Sequence, residues 1–111
     1  MWVINSDGFY SVVNKDVKEG ELLVRARLQE DIERLAKRLS LPLEHIAVTK
    51  MADYWYRLTV PVKEFGEYLA KMAEEIDYDN FKSSLSHKTA VDKERSRAYM
   101  KIWSALYEIQ R

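Results

Sequence analysis

Arg25 and Arg27 stand two residues apart in the stretch "ELLVRAR", and a third arginine, Arg57, follows Trp55 in "DYWYRLTV". Alternate residues of a strand share a face, so the first two guanidiniums would sit side by side on one side of a sheet. Like charges at that spacing repel unless an anion, a carboxylate or water lies between them. The chemistry this suggests is recognition of an anion: arginine offers forked donors to phosphate, and the Trp55 indole could stack on a base. The competing expectation is structural. The same face would then be covered by the C-terminal helix or by a second subunit, with the arginines paired to Asp or Glu as cross-strand ion pairs.

Other chemistry has weaker support. Asp77, Asp79 and Asn80 in "EEIDYDNFK" are oxygen ligands of the type that suits Mg²⁺ or Ca²⁺. The spacing of a calcium loop is missing, however, and acidic residues at a helix C-terminus are unfavourable, so a turn held by Asp79 or Asn80 is expected instead of a metal site. His45 and His87 have no sequence-evident nucleophile partner, and Ser83, Ser84 and Ser86 lie in a polar loop with no nucleophile elbow. Gly8, Gly20 and Gly66 stand alone, which excludes a glycine-rich phosphate loop. With no cysteine, disulfides, thiolate metal sites and a cysteine nucleophile are excluded. No cofactor is expected.

These side chains need a scaffold. The segments 2–5 and 9–13 around Ser6-Asp7-Gly8 read as one bulged strand or two short ones, and residues 9–28 as a hairpin. Leu28, Ile32, Leu35, Ala36 and Leu39 then carry the stripe of a helix over about 29–39, ended by Pro42. A second pass follows: "HIAVTK" and "YWYRLTV" as strands, then a helix over about 62–76 with Phe65, Leu69, Met72, Ala73 and Ile76 inward. In this reading Tyr54, Tyr56, Leu58 and Val60 face the helices. Leu23, Arg25, Arg27, Trp55, Arg57 and Thr59 lie on the far face. Residues 83–96 read as a polar loop, and a last helix spans about 93–110 with Tyr99, Trp103 and Tyr107 as an aromatic stripe, read as core or as an oligomer seam. The expectation is an α+β domain, ββαββα, ferredoxin-like, with about four antiparallel strands, helices on one face and an added C-terminal helix.

Composition agrees with a single globular domain. The 111 residues contain 47% hydrophobic and 32% charged side chains, and 18 basic residues balance 18 acidic ones. Nucleic acid or an anionic surface would therefore have to be met by a local patch, not by net charge. No run approaches the length of a membrane helix, and the N-terminus lacks a leader pattern, so a cytoplasmic location without membrane attachment is expected.

The blocks "MW", "DGFYSVV", "VRAR", "ADYWYRLTVP", "IDYDNFK" and "KIWSALY", in order along nearly the whole chain, resemble a family of small, functionally uncharacterised bacterial proteins. The polar stretch before the last helix departs from that pattern. The resemblance implies a shared fold and transfers no mechanism. It singles out Arg25, Arg27, Asp53, Tyr54, Tyr56, Arg57, Asp77, Tyr78, Asn80 and Lys82 as the positions matching its polar motifs. Three functions are then expected in order: a non-catalytic module for a nucleotide or short nucleic-acid segment; a homo-oligomeric interaction module with its sheet face buried; and, with no constellation behind it, a hydrolase or phosphotransferase using Asp53, Asp77 or Asp79.

Overall fold

The computed structural model describes residues 1–111 and divides into two compact units, Met1–Ile76 and Asp77–Arg111. The first is an α+β unit. Its five strands, β1 (Trp2–Asn5), β2 (Gly8–Val13), β3 (Glu21–Ala26), β4 (Ala47–Val48) and β5 (Tyr56–Pro61), form an antiparallel sheet in the order β1-β2-β3-β5-β4. The N-terminal segment is two strands, not one with a bulge. Asn5 pairs with Gly8 across a two-residue turn, and the Asn5 Oδ1 accepts the backbone N–H of Asp7 at 2.9 Å, an Asx turn that reverses the chain.

Helices α1 (Gln29–Arg38) and α2 (Val62–Glu74) pack on the same sheet face. Tyr10, Val12, Val24, Ala26, Leu58 and Val60 supply the sheet side of the core. Ile32, Leu35, Ala36, Phe65, Tyr68 and Met72 supply the helix side. Burying these rows is the main stabilising term, about 1.5–3 kcal/mol for each large side chain. α1 starts with Glu30 and Asp31 in its first turn and ends on Lys37 and Arg38, the charge order that suits a helix dipole.

The second strand pair is shorter than its sequence pattern suggests. Residues 43–45 form a 3-10 turn after Pro42, leaving only Ala47–Val48 to pair with Arg57 and Tyr56. The sheet therefore has one more strand than the expected four, gained at the N-terminus.

In the second unit, α3 (Phe81–Ser84) is a single turn and α4 (Ala90–Glu108) is a long helix. α4 starts within the segment expected to be loop. Thr89 and Asp92 form a capping box: the threonine hydroxyl accepts the Asp92 N–H at 3.0 Å and the Asp92 carboxylate accepts the Thr89 N–H at 3.2 Å. Two otherwise orphaned N–H groups are thereby satisfied, so the helix can begin earlier than its apolar stripe does. The Ser86 hydroxyl, donating at 2.8 Å, and then the Thr89 N–H hold the Asp92 carboxyl below its ordinary range. No helix of the chain is long and apolar enough to cross a membrane.

Candidate anion site

Register decides which arginines meet. Arg25 of β3 stands directly opposite Arg57 of β5, on the face away from α1 and α2. Arg27 continues the row just past the end of β3. Two like charges in direct cross-strand register are destabilising unless something intervenes. The Tyr54 ring lies against Arg25 and Arg27, and the Tyr54 carbonyl faces Arg57. The Arg25 guanidinium carbon lies 4.6 Å from the Tyr54 ring centroid and that of Arg27 lies 4.2 Å from it, cation–π contacts that offset part of the repulsion.

Hydrogen bonds fix the rest. Arg25 Nη2 donates to Ser11 Oγ at 2.8 Å, and Arg27 Nη1 donates to the carbonyl of Asp53 at 2.8 Å. Arg57 Nε reaches the Tyr54 carbonyl at 3.4 Å. The Asp53 carboxylate is the one acidic group in the cluster. Its Oδ1 accepts the Tyr54 N–H at 2.9 Å and lies 3.7 Å from Arg57 Nη2. With the Asp53 side chain 66% exposed and the Arg57 side chain 25% exposed, this ion pair is long and well solvated, worth about 0–1 kcal/mol. Of the three guanidiniums only that of Arg57 is paired with the carboxylate, and loosely. Arg25 Nε is buried without a hydrogen-bond partner.

One expectation needs correction. Strand alternation puts Tyr54 in the helix-facing row with Tyr56, Leu58 and Val60, yet its ring is buried against Arg25 and Arg27. Strand β5 begins only at Tyr56, and residues 51–54 turn and bend, so the two-residue alternation does not extend back through Tyr54. Trp55 lies one residue before the start of β5. It is exposed, with Lys50 Nζ 5.6 Å from its ring and Tyr56 as its aromatic neighbour at 6.5 Å.

The far sheet face is also less open than its sequence pattern suggests. Ser11 is 2% and Leu23 8% exposed, so its centre is closed in the single chain. Thr59 on that face stays exposed, as do Arg27 and Asp53 at the end of the sheet.

The other family-matched positions, Asp77, Tyr78, Asn80 and Lys82, belong to the second unit. The Asn80 side chain caps α3, accepting the Ser83 N–H at 3.1 Å, the turn role expected of it. Tyr78 packs on Phe81 at 5.9 Å, and Phe81 stacks on Tyr99 at 6.2 Å. Lys82 Nζ lies 4.3 Å above the Trp103 ring. Asp77 and Asp79 are exposed.

A second polar cluster escaped sequence reasoning. Asp7, in the β1–β2 turn, is buried and accepts a forked pair of bonds from Arg38 at 3.0 and 3.1 Å, together with the Tyr68 hydroxyl at 3.1 Å. Arg38 turns its other edge to Glu75, at 2.7 and 3.1 Å. These bonds raise the Arg38 pKa further and hold the Glu75 carboxyl below its ordinary range, while burial pushes the hydroxyls of Tyr68 and Tyr10 up. Asn5 Nδ2 donates to Tyr68 at 3.0 Å, and Tyr10 donates to the Asp31 carbonyl at 2.7 Å. The cluster ties the first turn of the chain to the ends of α1 and α2. Every group in it is matched to a neighbour, which makes it a structural clasp. The only sequence signal for it was an aspartate in a turn, and that does not name its partner.

Compared with protein-family models, with curated proteins and with solved structures, the chain matches none.

Proposed function

We propose that the chain is a non-catalytic module that binds an anionic ligand, a nucleotide or a short nucleic-acid segment, at the Arg25–Arg27–Arg57 cluster. One observation carries this reading: three guanidiniums gather at a buried tyrosine with a single, loosely held carboxylate as counter-charge. A phosphate approaching the accessible end would displace the Asp53 carboxylate and take forked donors from Arg27 and Arg57. Tyr54 is the floor of such a site. Trp55 would stack on a base only after releasing Lys50. Arg25, Arg27, Asp53, Tyr54 and Arg57 are five of the positions matching the polar blocks of the resembled family, and they meet here. Two helices over one face of an antiparallel sheet support a ferredoxin-like reading of the first unit in its layers, while the strand order β1-β2-β3-β5-β4 departs from the expected ββαββα plan.

Calorimetric titration with pyrophosphate, a nucleoside triphosphate and a short single-stranded oligonucleotide tests the proposal. Saturable binding is expected for at least one probe. Arg27→Ala should weaken it by roughly tenfold to a hundredfold, the worth of one charge-assisted contact. Asp53→Asn, which removes the competing carboxylate, should bind as tightly or more tightly. The reading is overturned by no saturable binding of any probe, or by Asp53→Asn weakening binding as much as Arg27→Ala. A marked fall in melting temperature of the ligand-free protein on Arg27→Ala would also assign that arginine to structure.

A further inference from the structure

Asp7 is the only aspartate or asparagine in the chain that a glycine follows. Such a step can modify itself. Glycine has no side chain to shield its amide nitrogen, so that nitrogen can reach the aspartate carboxyl carbon. The Gly8 nitrogen would bond to Asp7 Cγ and close a five-membered imide. One carboxyl oxygen leaves as water, with the amide proton and a proton from solvent. Water then reopens the ring at either carbonyl. Opening at the Asp7 main-chain carbonyl leaves the chain running through the side chain, as isoaspartate, with no net change of atoms.

The fold holds both reacting groups. The Asp7 oxygens take the fork from Arg38 at 3.0 and 3.1 Å and the Tyr68 hydroxyl at 3.1 Å, which fixes the plane of the carboxyl group. The Gly8 N–H donates to Asn5 Oδ1 at 3.3 Å, and the pairing of Asn5 with Gly8 fixes the backbone on either side of the turn. Ring closure needs the carboxyl group and the Gly8 nitrogen free to turn toward each other, and these bonds oppose that motion. We propose that Asp7–Gly8 is a latent self-modification site, kept unreactive by the bonds of Arg38 and Tyr68 to Asp7, and that opening of this clasp commits the turn to isoaspartate. The change runs one way. Isoaspartate adds one main-chain atom between Asn5 and Gly8 and takes from the carboxylate the methylene that reaches Arg38. Neither the β1–β2 register nor the clasp then fits. The site is separate from the arginine cluster of β3 and β5 and does not depend on it.

The test keeps the full chain at neutral pH for several weeks, folded and in concentrated guanidinium chloride. Peptide mapping, which separates the two isomers of equal mass, then reads isoaspartate at position 7. The denatured chain should convert, and the folded parent should convert at least about tenfold more slowly, since only locally opened molecules react. Folded Arg38→Met should convert severalfold faster than the folded parent. Val60→Ala, which loosens the core on β5 away from the turn, controls for global unfolding. With both variants brought to the same unfolded fraction by added guanidinium chloride, Arg38→Met should still convert faster. An Arg38→Met rate no higher than that of Val60→Ala overturns the proposal, as do equal rates for the folded and the denatured parent. A denatured chain that forms no isoaspartate at position 7 overturns it as well.

Discussion

Replacing Arg38 with methionine would remove the one cation that faces the buried Asp7 carboxylate. Methionine keeps the aliphatic stem, so the loss is the charge and its hydrogen bonds. Removing one partner of a buried ion pair costs about 3–5 kcal/mol, because the other charge stays buried and uncompensated. Two features of this site lower that figure: the Arg38 side chain is 32% exposed, and the Tyr68 hydroxyl still donates to Asp7 at 3.1 Å. The expected loss is about 2–3 kcal/mol, a fall in melting temperature on the order of 10 °C for a chain of this size. Urea titration followed by circular dichroism, with thermal melting in parallel, measures it. The double variant Asp7→Asn/Arg38→Met sharpens the test. A neutral amide can still accept from Tyr68 and carries no buried charge, so the double variant should regain about 1 kcal/mol or more over Arg38→Met. An Arg38→Met protein within about 0.5 kcal/mol of the parent would refute the reasoning, since surface changes fall in that range. So would a double variant no more stable than the single one.

Two further outcomes follow from the same unit. A Cβ added at Gly8 would run into the Asp31 carboxyl group, whose Oδ2 accepts the neighbouring Phe9 N–H at 3.1 Å, so Gly8→Ala should cost about 1–3 kcal/mol in a urea titration; an unchanged midpoint would mean that Asp31 moves freely. Glu75 is held below its ordinary pKa by Arg38, so its contribution is present above the unfolded carboxylate value and is lost as pH falls through the folded one; Glu75→Gln should melt below the parent at pH 7 and converge with it in acid, and parallel melting-temperature curves from pH 7 to about pH 2 would contradict this.

The elements of the first unit were legible because their signals are local. The switch from alternating residues in "ELLVRAR" to the stripe of Ile32, Leu35 and Ala36 marks where β3 ends and α1 begins, and both helices lie on the face those rows demand. The pairing of the three arginines was legible as a face but not as a site. Alternation says that Arg25 and Arg27 share a side; only register puts Arg57 opposite Arg25, and only the bends at residues 51–54 swing Tyr54 beneath the guanidiniums. The early start of α4 was written in Thr89 and Asp92, a capping signal weaker to the eye than an apolar stripe.

By itself, then, the sequence determined the α+β class, the helix and strand periods, and the absence of thiol chemistry, since these depend on residue type and short-range spacing. Tertiary structure alone decided three things: the order β1-β2-β3-β5-β4, the Asp7–Arg38–Glu75 clasp, and the burial of Tyr54 among the arginines. Each joins residues far apart in the chain, and a hydrogen bond or ion pair across 31 or 37 positions leaves no period for a sequence to display.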